Sequence, residues 1–175
     1  MDASAVAGCF RDKSILITGS TGFLGKLLVE KILRVQPAVK KLYLLVRAPD
    51  AASAEHRVFS EVIGMDLFNI LREKYGLHGF QSFIQEKVVA LAGDIIHDDF
   101  GLDISQADAL SKEIDIIING AATTSFYERY CTTSINEGMV HCRFVFKKNN
   151  ISYLNVSKGS EKIQYKRARR LLIAK

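Results

Sequence analysis

"ILITGSTGFLGKLLVEKIL", residues 15–33, joins an apolar run to a helical stripe through a single glycine loop. The run 14–18 (SILIT) shows no polar alternation, which predicts a strand buried on both faces. From Gly22 onward Phe23, Leu24, Leu27, Leu28, Ile32 and Leu33 recur at three- and four-residue spacing, which predicts a helix. Pro37 ends that helix near Val35. Between the two elements Gly19, Gly22 and Gly25 stand as G-x-x-G-x-x-G. Gly19 permits a tight turn off the strand, Gly22 lets backbone approach a pyrophosphate, and Gly25 allows close helix-to-strand packing. Phosphates would sit at the helix N-terminus, where unpaired N–H groups and the macrodipole favour negative charge. Three glycines alone are a weak motif, but the strand before and the helix after make dinucleotide binding the expectation. A purely structural turn is the alternative.

Outward from the loop, 41–46 (KLYLLV) reads as a second strand ending at Arg47. Residues 52–75 carry Val58, Phe59, Val62, Ile63, Leu67 and Leu71 as a helical stripe, broken near Gly64, and 80–86 predicts a short helix. A third strand, 87–92 (KVVALA), precedes Gly93-Asp94. Ser105 is the expected cap of a helix to about Ile114, with Asp108 as a weak capping box. The fourth strand, 115–119 (DIIIN), precedes Gly120-Ala121-Ala122. Apolar strands alternating with helices predict an α/β fold, a Rossmann-like doubly wound parallel sheet of order 3-2-1-4.

Arg47 bears on which dinucleotide binds. An NAD site usually places an acid about 20 residues past the loop to accept from the ribose 2′-hydroxyl. Here that place holds Arg47, 22 residues after Gly25, and a guanidinium fits a 2′-phosphate bidentately. NADPH is therefore the expected cofactor, against a solvated arginine beside Asp50. Asp94 and Ile95 fall where the adenine edge should lie, although Asp94 is equally a turn or cap residue. Asn119, Ala121 and Ala122 end the fourth strand beside the cofactor position, where small residues admit the nicotinamide ribose or simply close a strand.

The 175 residues suffice for one domain with a real core, and a mean hydropathy of +0.08 with 25% charged residues is ordinary globular material. No apolar stretch is long enough to span a membrane, and the N-terminus is a poor secretory signal. Cys9, Cys131 and Cys142 form no close pair, which suits an intracellular, reducing compartment. Four scattered histidines predict no metal site. Residues 1–138 carry 14 Lys and Arg against 18 Asp and Glu, whereas 139–175 carry 10 against the single Glu161. A charge break of that size marks a boundary between a mildly acidic domain, 1–138, and a basic tail, 139–175.

TGSTGFLG, the GDI of 93–95 and the NGAATTSF of 119–126 together resemble an extended short-chain dehydrogenase/reductase. More narrowly, EKILRVQPAVKKLYLLVRA (30–48), VIGMDLFNILREKYG (62–76) and IDIIINGAATTSFYERY (114–130) resemble plant alcohol-forming fatty acyl-CoA reductases. The resemblance runs from about residue 10 to 138 and includes the long helical insert after Arg47. It implies NADPH-dependent reduction of a long-chain fatty acyl-CoA, through the aldehyde, to a primary alcohol. By position it implies cofactor contacts from Thr18, Gly19, Thr21, Gly22, Phe23, Leu24 and Gly25. It assigns the 2′-phosphate to Arg47, and adenine and ribose to Asp94, Ile95, Asn119 and Ala121. Asn136 matches the asparagine that supports the proton relay of such enzymes. Gly120 departs from the family's larger apolar residue, and Tyr127 from its acid.

The family's catalytic Tyr-x-x-x-Lys has no counterpart. Tyr43, Tyr75, Tyr127, Tyr130, Tyr153 and Tyr165 are followed four residues on by Arg47, Gly79, Cys131, Ser134, Ser157 and Arg169. No catalytic pair is therefore assigned. The expectation is a family chain truncated after about four strands, its tail not family-derived. The fourth strand would then be an exposed, association-prone edge unless the tail or a second chain covers it. Three readings follow: a fatty acyl-CoA reductase, a catalytically inactive NADP-binding module, and a nucleic-acid or membrane-surface binder working through the basic tail. No specific nucleic acid is expected. Peripheral membrane association and self-association are allowed, and the resemblance implies the cytosolic face of the endoplasmic reticulum, with the plastid as alternative.

Overall fold

The computed structural model describes residues 7–121, and by backbone alone 152–155 and 164–167. The chain enters the sheet at β1 (Ser14–Thr18), crosses over through α1 (Phe23–Val35) and returns as β2 (Lys41–Val46). Helix α2 (Ala51–Val58) runs into a π turn (Phe59–Ile63) that closes at Gly64, whose N–H reaches the Phe59 carbonyl at 2.7 Å. That is the break expected near Gly64. Helix α3 (Asn69–Lys87) follows, bent at Gly76, where φ is +67°. The short helix expected at 80–86 is the second half of this element. Then come β3 (Val88–Ala92), α4 (Ile104–Glu113) and β4 (Ile116–Asn119).

Strands β1 to β4 pair in parallel in the order 3-2-1-4, the expected doubly wound arrangement. The sheet does not stop there. β5 (Ser152–Asn155) pairs in parallel with β4, and β6 (Gln164–Arg167) pairs antiparallel with β5. β4 is therefore an interior strand, its outer edge covered by the tail, and the sheet's edges are β3 and β6. The boundary placed at 138/139 lies outside the described residues.

Side chains alternate between two faces, as the pleat requires. Ile15, Ile17, Leu42, Leu44, Val46 and Ile118 pack against Val29, Ile32 and Leu33 of α1, Val58 of α2 and Leu71, Phe80 and Ile84 of α3. Leu16, Tyr43, Leu45 and Ile117 face the other way, onto Leu110 of α4, Ile114 and Phe100. Helices on both faces explain why β1 and β2 are unbroken apolar runs.

Two local readings are corrected. Helix α1 turns Gly25, Val29, Ile32 and Leu33 inward, whereas Phe23 is 72% exposed and Leu27 faces solvent. The expected stripe is rotated because Gly25 lies against the Gly19 carbonyl, and that contact sets the helix's rotation. The cap of α4 is Asp103, not Ser105. The Asp103 carboxylate accepts from the Gln106 N–H at 2.7 Å, and the Ser105 hydroxyl donates to the same oxygen. A carboxylate at a helix N-terminus also meets the positive end of the dipole, which a hydroxyl does not exploit as well.

The bottom of the sheet is tied by charge. Asp115 accepts the Ser14 N–H at 3.0 Å and pairs with Lys13, joining the starts of β1 and β4. Tyr43 is buried under α4 near Glu113, which also faces Lys40 at 3.9 Å. Burial, and then the Glu113 carboxylate, push the Tyr43 phenol well above its usual range. The unfolded chain releases this proton from about pH 10 while the native chain holds it. The stability it contributes is thus present below about pH 10 and is lost as pH rises beyond. Urea midpoints of the native chain should fall between about pH 9 and pH 11 more steeply than those of Tyr43→Phe. Parallel profiles would show that Tyr43 is not the group responsible.

Candidate functional site

Because the four strands are parallel, Thr18, Val46, Ala92 and Asn119 all end along one edge of the sheet. The chain order reverses between β1 and β4, so that edge opens a crevice at the switch point where open α/β sheets hold their ligands. The glycine loop occupies this point. Gly19 takes φ +69°, a left-handed conformation that leads the chain sharply off β1. A Cβ on Gly19 would come within 2.6 Å of the Gly120 and Ala121 backbone. The loop is thus pressed onto the end of β4, and Gly120 itself leaves only 3.0 Å between a built Cβ and the Thr18 carbonyl. A side chain at 120 would require the Thr18 carbonyl to give by a few tenths of an ångström.

The Thr18 hydroxyl donates to the Asn119 side-chain oxygen at 2.6 Å and couples the same two strand ends. Gly22 is the N-cap of α1. Its N–H returns to the Gly19 carbonyl at 3.1 Å, and no side chain caps the helix. No acid stands in the first turn of α1. A Cβ on Gly22 would meet only the Gly19 oxygen within 4 Å, at 3.3 Å, so the space before the helix is open. An uncapped helix N-terminus, bare of acids and facing open space, suits a pyrophosphate. The residues present therefore fit a dinucleotide. Thr21 and Leu24 are half-buried beside the loop, and Phe23 projects outward.

Arg47 is exposed at the end of β2, and among the described residues no hydrogen bond or ion pair engages its side chain. Asp50, the one acid nearby in sequence, is committed elsewhere. It caps α2 by accepting the Ser53 N–H at 2.7 Å, and that bond holds its carboxyl below the usual carboxylate range. Arg57, which the sequence reading passed over, stands at the same strand end. Its Nη1 donates to the Arg47 carbonyl at 2.5 Å, and its other edge grips Glu61. In sequence, an Arg and a Glu four apart look like an ordinary solvated helix pair, and only the fold shows where the free edge points.

At the end of β3, Gly93 has no room for a side chain, since a Cβ would lie 2.5 Å from the Phe100 carbonyl. The Asp94 N–H donates to that carbonyl at 2.9 Å, and its carboxylate accepts the Ile96 N–H at 3.1 Å. Asp94 is therefore a turn-forming residue here. Ile95 packs inward with Leu16, Tyr43, Leu45 and Phe100, while Ile96 is 77% exposed. Asn119 and Ala121 are half-buried beside Gly19, and Asn136 lies outside the described residues. The structure thus brings together the loop, Arg47, Asp94, Asn119 and Ala121 at one strand edge. Among the described residues no group of three or more His, Cys, Asp or Glu side chains could hold a metal ion.

Comparison with known proteins places this arrangement. The profile of the male sterility protein family, an NAD-binding domain, matches residues 17–136. Fatty acyl-CoA reductase 1 of Arabidopsis thaliana is 55% identical over 120 residues, which are 68% of this chain and 24% of that protein. The alcohol-forming fatty acyl-CoA reductase of Simmondsia chinensis is 48% identical over 120 residues, again 68% and 24%. The terminal R domain of a myxalamid PKS-NRPS pathway shares the fold with a TM-score of 0.55 at 24% identity, over 74% of this chain and 34% of that one. The chain spans about a quarter of the length of the curated relatives it matches. With the glycine loop, the parallel sheet and both strand ends inside the matched span, the chain belongs to the male sterility protein family of NAD-binding domains.

Proposed function

We propose that this chain is the cofactor-binding part of an NADPH-dependent, alcohol-forming fatty acyl-CoA reductase. The observation that carries the reading is the pairing of an uncapped, acid-free helix N-terminus with an unengaged arginine at the end of β2. The first takes the pyrophosphate and the second takes the 2′-phosphate. The acyl-CoA substrate comes from the names of both relatives, and the alcohol product from that of the Simmondsia chinensis enzyme alone. A working place at the cytosolic face of the endoplasmic reticulum or in the plastid belongs to the same reading. Among the described residues no helix is long and apolar enough to cross a membrane.

Bound NADPH supplies the hydride for a thioester or aldehyde carbonyl. What these residues contribute is the grip. The loop N–H groups would orient the pyrophosphate, Gly22 leaves the space before α1 open, and the Gly19–Gly120 contact with the Thr18–Asn119 bond fixes the end of β1 against the end of β4. A second reading, in which this chain binds cofactor and turns nothing over, rests on the same grip. Calorimetric titration with NADPH and NADH tests the shared part of both readings. NADPH should bind at least about tenfold more tightly, the discrimination expected of one charge-assisted contact. Equal affinities would remove the 2′-phosphate assignment, and no binding at millimolar cofactor would remove the site. Turnover of a long-chain acyl-CoA by the same preparation then separates the enzyme from the module.

A further inference from the structure

The Arg47 carbonyl is the first acceptor past the β2 ladder. The β2–β3 register ends at Val46↔Ala92, and the Gly93 N–H takes the Val46 carbonyl at 3.0 Å. Beyond that point the sheet offers Arg47 no partner, and the peptide that aims its side chain would be free to turn. Arg57 supplies the missing donor from α2. Its guanidinium is divided between two duties: Nη1 holds the Arg47 carbonyl, while Nε and Nη2 meet the two oxygens of Glu61 at 2.6 and 3.0 Å. Glu61 sits in the π turn after α2, four residues on from Arg57.

The two side chains are 35% and 40% exposed, so as a stability element the pair counts for little. As an orienting element it counts for more. A planar guanidinium fixed along one edge by a carboxylate has its remaining N–H groups aimed, and here they aim at the Arg47 peptide. Lys26 and His56 also bear on the Glu61 carboxylate, which makes it one acid set among cations rather than half of an isolated pair.

We propose that Glu61 is a positioning residue for the 2′-phosphate end of the cofactor. It locks Arg57 so that Arg57 fixes the Arg47 peptide, and thereby the direction in which the Arg47 guanidinium leaves the sheet. This rests on the NADPH reading above. Glu61 touches no cofactor atom, and it acts on discrimination between the two nicotinamide cofactors without setting the affinity for the part they share.

The experiment is a titration of the full chain and of Glu61→Ala, Glu61→Gln and Arg47→Glu with NADPH and NADH, alongside urea melts. Glu61→Ala should weaken NADPH about tenfold, the size of one net hydrogen bond, and leave NADH unchanged. Glu61→Gln, which keeps one acceptor, should fall between. Unchanged or tighter NADPH binding in Glu61→Ala overturns the proposal, since the carboxylate would then be idle or merely repelling the phosphate. Equal loss of both cofactors also overturns it, by showing a general structural role. Arg47→Glu tells the two failures apart. If it leaves the NADPH-to-NADH ratio untouched, the 2′-phosphate reading is wrong; if it collapses the ratio while Glu61→Ala does not, only the positioning role is wrong.

Discussion

Gly25→Ala should destabilise the chain by about 3 kcal/mol and abolish NADPH binding, the largest effect expected of a single added methyl group here. The reason is steric and not conformational. A Cβ at Gly25 would run into the Gly19 carbonyl oxygen and lie 2.7 Å from the Ser20 Cα, both of them backbone. Backbone atoms cannot rotate away as a side chain can, so relief requires moving α1 off the sheet or the loop off β1. Either movement breaks the N-terminus that, on the proposed reading, would hold the pyrophosphate. Two other glycines calibrate the result. Gly76 has φ +67° and ψ 171°, a backbone conformation essentially confined to glycine, but open space around it, so Gly76→Ala carries a conformational cost of about 1 to 3 kcal/mol and no steric one. Gly22 has one neighbour, at 3.3 Å, so Gly22→Ala should leave stability nearly unchanged and act on cofactor affinity alone. Urea melts of the three variants rank them. A Gly25→Ala midpoint equal to that of Gly76→Ala would mean the contact with Gly19 yields easily and does not set the helix.

Arg47→Glu should weaken NADPH by about a hundredfold or more and leave NADH binding unchanged or slightly improved. A charge-assisted bond to a phosphate contributes about 1.5 to 3 kcal/mol, and reversal adds repulsion between a carboxylate and a dianion. Because Arg47 is exposed and Asp50 is occupied by the α2 cap, no neighbouring group should compensate for the change. The same exposure predicts a salt effect. NADPH affinity of the native chain should fall faster with ionic strength than NADH affinity, and the difference should vanish in the variant. Calorimetry at two salt concentrations reads both. NADPH binding that survives the reversal within a fewfold would move the 2′-phosphate away from the end of β2.

The central sheet was legible because its signals are local and redundant. SILIT and KLYLLV are too uniformly apolar for a one-sided strand, and the glycine spacing announces the turn between them. What escaped is what depends on distant partners. The inward face of α1 includes the contact between Gly25 and Gly19, and a hydrophobic count over Phe23, Leu24 and Leu27 cannot register a glycine as a buried contact point of a helix. Ile95 and Ile96 are equally apolar, and only the closure of the turn onto the Phe100 carbonyl decides which one is exposed. Arg57 has its meaning from a carbonyl ten residues away. Strand β5 was hidden by composition. ISYLNV is short, does not alternate and is set among lysines and asparagines that read as a solvated tail, and pairing with β4 supplies the stability its sequence does not advertise.

The junction between Thr18, Gly19 and the Asn119–Ala121 segment has a consequence for the order of events during synthesis. The phosphate cradle looks contiguous in sequence, yet it is braced by residues 101 positions later. A ribosome adding about 5 to 20 residues per second needs on the order of 5 to 20 seconds to lengthen the chain from the loop to that brace. During this interval the nascent chain has the glycine motif but not its back wall, and free NADPH cannot serve as a template for folding. Cofactor would help the polypeptide only after β4 has docked, as a late ligand that retains a finished sheet.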